Sequence, residues 1–580
     1  MTKKVITALR KNKRNIISFL LLMGIGVFCY YKTLFIGFLS DDFHMLSIAK
    51  EFSPFWKYFS TNIIGERVGS SYGPIMNIFF ELEYTLFGLQ AFWYHVVSTL
   101  FFVSTGFLLA QLVYKLSKNY IIGIGSGILF LLLPNHVEAV SWIAVLPHLF
   151  ATFLFLLGIY FYFLFMEKEE NRLYIFSFIF FTASLLTKEI GITFIGILFL
   201  LELFFGKRNI TCEKKILRKV NCIQNKIWKE KIAQVFSFVY TLVKRLAPFL
   251  VLLGTYIFLR AYATGSLFGY YAKPQLEINI AKMWHMFLEL GASMFVSFEK
   301  RLVLVKYAEE HIFLFFILIG LILGFSFWRA KKQRKQLLFF VFSYCIVSLP
   351  YLDLLLNPIN NEGERYAYLM SVFFAPAVAL VLYQVFSHMK SQKELFFLGI
   401  LCTNFLFFPQ IQKKVEDWRS AGVLTQGLLE SAKELKFIDG EYTYFIGIPD
   451  NVAGAQVMRN AVKEALHLFS QKEKISGERI LLFTYFNNDT LDTKINIFQE
   501  NGKIVLREEN NKRVFTGFPE WKTQFATFSL EEFEKVGNTG TGIVIEGDVL
   551  ENIQDITFSF LFVSEGKFHK VYLENIEDKW

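Results

Sequence analysis

Cysteine is scarce in this chain. Five residues, Cys29, Cys212, Cys222, Cys345 and Cys402, are spread over 580 positions, and none follows Cys402. Three lie in apolar runs, and the other two are too far apart for a usual zinc knuckle. The polar C-terminal region therefore has no disulfides, whatever its compartment. Internal repeats and low-complexity segments are absent. No small-residue cleavage site follows the long first apolar run, so it reads as a retained helix rather than a signal peptide.

What is abundant is apolar. Hydrophobic residues make up 54% of the chain, 69 of them Phe, and mean hydropathy is +0.40. Repeated apolar runs near bilayer length predict an all-α polytopic membrane protein, because no soluble core would need so many. The net charge of +10 does not point to nucleic acid. Lys and Arg concentrate in short stretches between the apolar runs, as cytoplasmic loops do. Lys3, Lys4, Arg10, Lys11, Lys13 and Arg14 precede the first run, which places the N-terminus in the cytoplasm. Few cysteines with much Lys, Asn, Ile and Phe suggest a bacterial source, hence a plasma membrane.

The alternation predicts about eleven transmembrane helices over 1–408 and an extracytoplasmic α/β domain over 409–580. The first helix is expected over Asn15–Phe38, the seventh over Pro248–Tyr262, the eighth over His311–Phe327 and the eleventh over Glu394–Phe408. The basic stretch Lys207–Arg245 reads as a cytoplasmic loop against anionic headgroups. Trp284–Val296 reads as re-entrant or interfacial. In the tail, helices are expected over Lys413–Leu435 and Val452–Phe469. Strands are expected over Tyr442–Ile448, Ile480–Phe486, Ile543–Ile545 and Ile556–Val563.

This topology brings four polar clusters to outer helix mouths: Asp41-Asp42, His136 with Glu138, Lys188-Glu189, and Glu364-Arg365. Each alone reads as a solvated helix end. Together they suggest one outward cavity lined by carboxylates and a few cations. Such a cavity suits transfer from a lipid-linked phosphosugar. A carboxylate at the water–lipid boundary takes the proton of an acceptor hydroxyl as it attacks the anomeric carbon. The departing polyprenyl phosphate needs cations where charge develops. Arg365 suits this through its planar fork, and Lys188 adds a point charge. Asp41 and Asp42 alternatively hold a divalent cation, Mg or Mn, through oxygen ligands.

The stretch Pro134 to Ile143, with His136-Val137-Glu138-Ala139-Val140-Ser141-Trp142, resembles the second outer loop of the transmembrane tetratricopeptide-containing mannosyltransferases and their bacterial relatives. So do Asp41-Asp42, Tyr72-Gly73-Pro74, His95, Lys188-Glu189 and Glu364-Arg365-Tyr366-Ala367-Tyr368-Leu369, in the same order over about residues 15–390. These proteins belong to the GT-C superfamily, with the protein O-mannosyltransferases and the aminoarabinose transferases of lipid A. The resemblance implies that Asp41 or Asp42 is the catalytic base, that Glu138 supports substrate or base, and that Arg365 holds the lipid phosphate. It carries Tyr72, His136, Lys188, Glu189, Glu364 and Tyr366 as further substrate contacts. The implied partners are a polyprenyl-phosphate sugar, membrane lipid, and a protein, glycan or lipid acceptor.

Two departures stand out. Relatives have Arg where this chain has Gly73, and an Arg-x-Asp where it has Leu146-Pro147-His148. Tetratricopeptide repeats are absent. His44 reads as surface filler, His95 as structural, Glu299-Lys300-Arg301 as a headgroup contact, and Asp450-Asn451 as a turn. A transporter or flippase of lipid-linked saccharide is the rival reading, although related halves and helices broken near the midplane are missing. A non-catalytic membrane scaffold is the third.

Overall fold

The computed structural model describes the chain apart from residues 1–2, 52, 62–71, 208–225, 266–278, 312–319, 321–323, 325–332, 353–360, 388 and a series of short segments after 438. Two compact units emerge. One comprises 1–34 with 52–415, and the other comprises 35–51 with 416–580.

The first unit is helical. Among the described residues, six helices are long and apolar enough to cross a bilayer: Lys13–Phe35, Ala91–Ser117, Ile143–Lys168, Glu230–Thr264, Glu364–Val385 and Gln392–Ala432. The bent pair Tyr120–Leu132 and Pro134–Ser141, at 56°, brings the number to seven. The expected eleven are thus not all found. Other apolar runs fold as shorter helices, Asn171–Thr187, Phe194–Phe205 and Arg334–Ser348. The eighth expected helix falls largely outside the described residues.

Prolines account for two differences in boundary. Pro248 is the first residue of the expected seventh helix, and Pro409 directly follows the last of the expected eleventh. Both lie inside longer helices, Lys226–Thr264 and Gln392–Ala432. An apolar environment favours keeping every other backbone bond helical, so one lost N–H is tolerated. Trp284–Val296, expected as re-entrant or interfacial, falls mostly in helix Ile280–Ser293, with helix Phe298–Glu310 following. Arg245 is no headgroup contact. Its guanidinium lies 2.8 Å from Oε1 of buried Glu202, which also accepts from the Tyr162 hydroxyl at 2.8 Å.

The second unit contains two larger sheets. One runs in the order Lys567–Tyr572, Thr557–Ser564, Glu441–Ile446, Ser476–Arg479, its last three strands parallel. The other is antiparallel, in the order Ile495–Glu500, Lys503–Glu508, Asn538–Glu546, Thr527–Lys535, Glu520–Lys522. Alternate residues turn inward as the period of two requires. Tyr444, Ile446, Phe560 and Phe562 of the first sheet share a core with Leu506, Phe528, Ile543 and Ile545 of the second. The helix expected over Val452–Phe469 is shorter, Val462–Ser470. Its first part is instead a hairpin, Asn451–Val452 against Ala455–Gln456, because Ala453 and Gly454 both take positive φ, 50° and 95°.

Candidate functional site

The hairpin of helices Leu146–Lys168 and Asn171–Thr187 sets the polar ends of the first unit. Glu169 turns the chain in the left-handed conformation, φ 61°, and the Ser184 hydroxyl donates to the Ala151 carbonyl at 2.9 Å. Glu167 therefore lies at one end with Lys115 and Lys118, whose ammonium nitrogens are 3.3 and 2.6 Å from its oxygens. His148 and Lys188-Glu189 lie at the other end.

Glu138 and Arg365 meet at that second end. Glu138, 3% exposed, sits on the short helix Val137–Ser141 after the 56° bend. Its Oε2 accepts the Arg365 backbone N–H at 2.7 Å, and its Oε1 accepts the Gly363 N–H at 3.3 Å. The same carboxylate forms an ion pair with the Arg365 guanidinium. One side chain thus fixes both the backbone and the head of Arg365. Gly363, at φ 93°, supplies the left-handed turn that aims those two N–H groups. The guanidinium lies 5.4 Å from the Trp142 ring centroid and 4.7 Å from that of Tyr366, and Nη2 donates to the Tyr366 hydroxyl at 3.1 Å. Arg365 keeps 15% of its side chain exposed. A guanidinium has five N–H donors, and its bonds to Glu138 and Tyr366 occupy two of them.

Glu364 turns the opposite way and is buried. Lys414 Nζ is 2.8 and 2.6 Å from its two oxygens, and Arg301 Nη1 is 3.5 Å from Oε1. Arg301 Nε is 4.0 Å from Glu289 in turn. Two cations and two carboxylates balance, which is what burial of charge demands. Arg301 is fully buried in this network, so its reading as a headgroup contact is corrected.

A second cluster gathers Tyr72, Lys188 and Glu189. Glu189 Oε1 accepts the Tyr72 N–H at 3.4 Å and lies 3.8 Å from Arg260 Nε, while Oε2 is 3.9 Å from Lys188 Nζ. The Tyr72 ring is 5.8 Å from that of Tyr256. A Cβ on Gly73 would stand 2.7 Å from the Thr187 carbonyl oxygen, immediately before Lys188. This close approach is why the position takes glycine. His148 joins the two clusters: its ring is 6.1 Å from that of Tyr366, and it lies within electrostatic reach of both Lys188 and Arg365.

His136 has a different setting from the one its motif suggested. It is fully buried, with the Phe130, Tyr368 and Phe102 rings at 4.6, 5.1 and 5.3 Å and Nε2 2.8 Å from the Ser371 hydroxyl. These contacts make it part of the packing that supports the Glu138 helix.

In the second unit, Asp41 and Asp42 open helix Asp41–Lys50, where carboxylates favour the N-terminal dipole. They are not equivalent. Asp42 is 1% exposed and its Oδ2 accepts the Leu39 N–H at 2.9 Å. Asp41 is partly exposed, and its Oδ1 accepts from the Asn460 side-chain amide at 2.7 Å. The Ser40 N–H donates to the Val457 carbonyl at 2.8 Å, which ties this turn to the segment carrying Asn460. Asp450 pairs with Arg459, Nε to Oδ1 at 2.7 Å, and Asn451 accepts the Gly454 N–H at 3.0 Å. The turn reading of that segment fits these bonds. His44 lies 3.8 Å from Glu464. Among the described residues no three His, Cys, Asp or Glu converge as a metal-ligand set.

Within the first unit, then, Glu138, Arg365 and Tyr366 form one group and Tyr72, Lys188 and Glu189 another, with His148 between them. Sequence reasoning missed Lys414, Glu289, Arg260, Tyr351 and Asn460. The Tyr351 ring lies 5.5 Å from that of Tyr366, tilted by 36°.

Comparison with known proteins follows the same line. No family model matches the chain. Human protein O-mannosyl-transferase TMTC3 is 29% identical over 211 residues, 33% of this chain and 22% of that protein. The mouse protein of the same name is 28% identical over 205 residues, and Drosophila melanogaster Tmtc3 is 27% identical over 231. The chain spans about a fifth of the length of these relatives. Among solved structures, the Archaeoglobus fulgidus oligosaccharyltransferase complex with Zn and sulfate has a TM-score of 0.40 at 12% identity, covering 79% of this chain and 62% of that one. ArnT from Cupriavidus metallidurans bound to undecaprenyl phosphate has a TM-score of 0.37 at 10% identity, covering 79% and 89%. The relatives found by sequence are protein O-mannosyl-transferases, and the chain resembles the membrane glycosyltransferases that its motif order indicated.

Proposed function

We propose that this chain is an integral membrane glycosyltransferase of the GT-C type. It moves a monosaccharide from a polyprenyl-phosphate donor to an acceptor hydroxyl on the extracytoplasmic face. The observation that carries this reading is Arg365. Its side chain is partly exposed, and its guanidinium is held at backbone and head by one buried carboxylate, flanked by two aromatic faces, and left among the described residues with N–H donors beyond those that Glu138 and Tyr366 occupy. Such a fork pairs with two phosphate oxygens. Lys188 adds a second positive charge at the same end, and Glu138 sets the aim of Arg365.

The base is assigned to the Asp41–Asp42 pair on the strength of the sequence resemblance, with Asp41 preferred because it is the more exposed. The acceptor O–H proton passes to the carboxylate as the acceptor oxygen bonds to the anomeric carbon. The bond from that carbon to the phosphate oxygen breaks, polyprenyl phosphate departs with the electron pair, and configuration inverts. Asp41 and Asp42 would be the residues to hold a Mg or Mn ion, which would supply positive charge beside the reacting oxygen. The relatives' name points to mannose as the sugar and a protein hydroxyl as the acceptor.

The test is transfer from a mannosyl polyprenyl phosphate to a Ser/Thr-rich peptide by the purified chain in nanodiscs. Arg365→Met is expected to lose roughly 100-fold in kcat/KM, measured on protein first shown to be folded. Undiminished transfer by that variant would remove Arg365 from the site.

A further inference from the structure

We propose that Lys414 is a positioning residue for the Glu138–Arg365 pair, an inference that rests on the reading of Arg365 as the phosphate holder. Lys414 lies on helix Gln392–Ala432, remote in sequence from both partners. Its side chain is 4% exposed, and its ammonium makes three contacts: 2.8 and 2.6 Å to the Glu364 oxygens and 3.3 Å to the Pro134 carbonyl. An ammonium has three donors, so these contacts exhaust it. Nothing remains for a substrate, which excludes Lys414 from the reacting groups.

Its partners are what give it a role. Glu364 lies between Gly363 and Arg365, the two residues whose N–H groups Glu138 accepts. Pro134 opens the turn Pro134–His136 that leads into the helix carrying Glu138. One ammonium therefore grips the chain on both sides of the Glu138–Arg365 contact. Arg301 helps on the Glu364 side, at 3.5 Å. Without Lys414, Glu364 keeps one cation, and the Pro134 turn loses its link to the Arg365 turn. The carboxylate and guanidinium are then free to shift relative to each other, and a displacement of about 1 Å suffices to degrade an aligned polar site.

The experiment uses the full chain in detergent, with undecaprenyl phosphate as probe and undecaprenol as the tail-only control. Lys414→Met is expected to weaken binding of undecaprenyl phosphate roughly tenfold and leave undecaprenol binding unchanged. That variant strands a buried carboxylate, so the double variant Lys414→Met with Glu364→Gln removes both charges and keeps the question open to test if the single one misfolds. It should show the same headgroup-selective loss, because the Pro134 link is gone. Wild-type headgroup affinity in these variants, with Arg365→Met impaired, overturns the inference alone. Equal loss for both lipids shows a merely structural lysine and overturns it too. Wild-type affinity in Arg365→Met removes the phosphate-holder reading, and the inference falls with it.

Discussion

Glu138 binds Arg365 at two levels, accepting its backbone N–H at 2.7 Å and pairing with its guanidinium. A carboxylate that does both is a template for the arginine's position. Glu138→Gln keeps an acceptor for one N–H but removes the charge, whereas Glu138→Ala leaves two N–H groups and a guanidinium without their partner. The alanine variant is expected to destabilise the chain by about 2–4 kcal/mol, somewhat below the loss for a fully buried pair because Arg365 is partly exposed. The glutamine variant should stay folded and lose roughly ten- to a hundredfold in donor kcat/KM. Thermal unfolding and transfer kinetics on the two variants check this.

Gly73 leaves no room for a Cβ, which would stand 2.7 Å from the Thr187 carbonyl oxygen. Gly73→Ala forces backbone apart where no flexible side chain can yield, at an expected cost of about 1–3 kcal/mol. Gly73→Arg, with a far larger side chain against the same carbonyl, should be worse. A lowered melting temperature for both variants, larger for Arg, is the expected result.

Glu441 supplies an acid-sensitive joint in the second unit. Burial works against its charge, but hydrogen bonds from Lys570, Ser559 and the Ile438 N–H outweigh it and hold the carboxyl below the ordinary glutamate range. A carboxyl depressed on folding stabilises above its unfolded pKa, and that stability is lost as pH falls through the folded value. Hydrogen exchange in peptides covering 441–446 and 557–572 should therefore accelerate as pH drops below about 4.5, after correction for intrinsic rates. Glu441→Gln should abolish that pH dependence.

Asp41 and Asp42 should separate by phenotype. Asp42→Ala removes an acceptor for the Leu39 N–H and is expected to cost about 1 kcal/mol, read as faster exchange over helix Asp41–Lys50. Asn460→Asp keeps the shape of the side chain but replaces the N–H donor facing Asp41 with a second acceptor. Its expected effect is a fall in kcat with the donor KM within about twofold, since the donor's phosphate is held elsewhere.

Much of this was legible in the sequence because it is periodic or local. Apolar runs announced the helices, and alternation of basic stretches put Glu138, Lys188, Glu189 and Arg365 at the same helix ends. What stayed hidden were contacts between single charges far apart in the chain. Lys414 with Glu364 and Arg301 with Glu289 are ion pairs whose members look like ordinary helix-end charges until folding buries them. Asn460 lies 419 residues from Asp41, with no motif to mark it. The boundaries near Pro248 and Pro409 stayed hidden for a different reason, since proline breaks helices less where the surroundings cannot solvate backbone. His136 carried a family-like motif, yet its ring packs among three aromatics.

The central claim is tested most directly by sugar transfer from mannosyl polyprenyl phosphate, measured for wild type, Asp41→Asn and Asp42→Asn after each is shown to insert and fold in nanodiscs. The account predicts transfer by wild type and a loss of roughly 100-fold or more in Asp41→Asn. Wild-type rates in both variants would contradict the base assignment, and no transfer by wild type from any polyprenyl-phosphate sugar would contradict the enzyme itself.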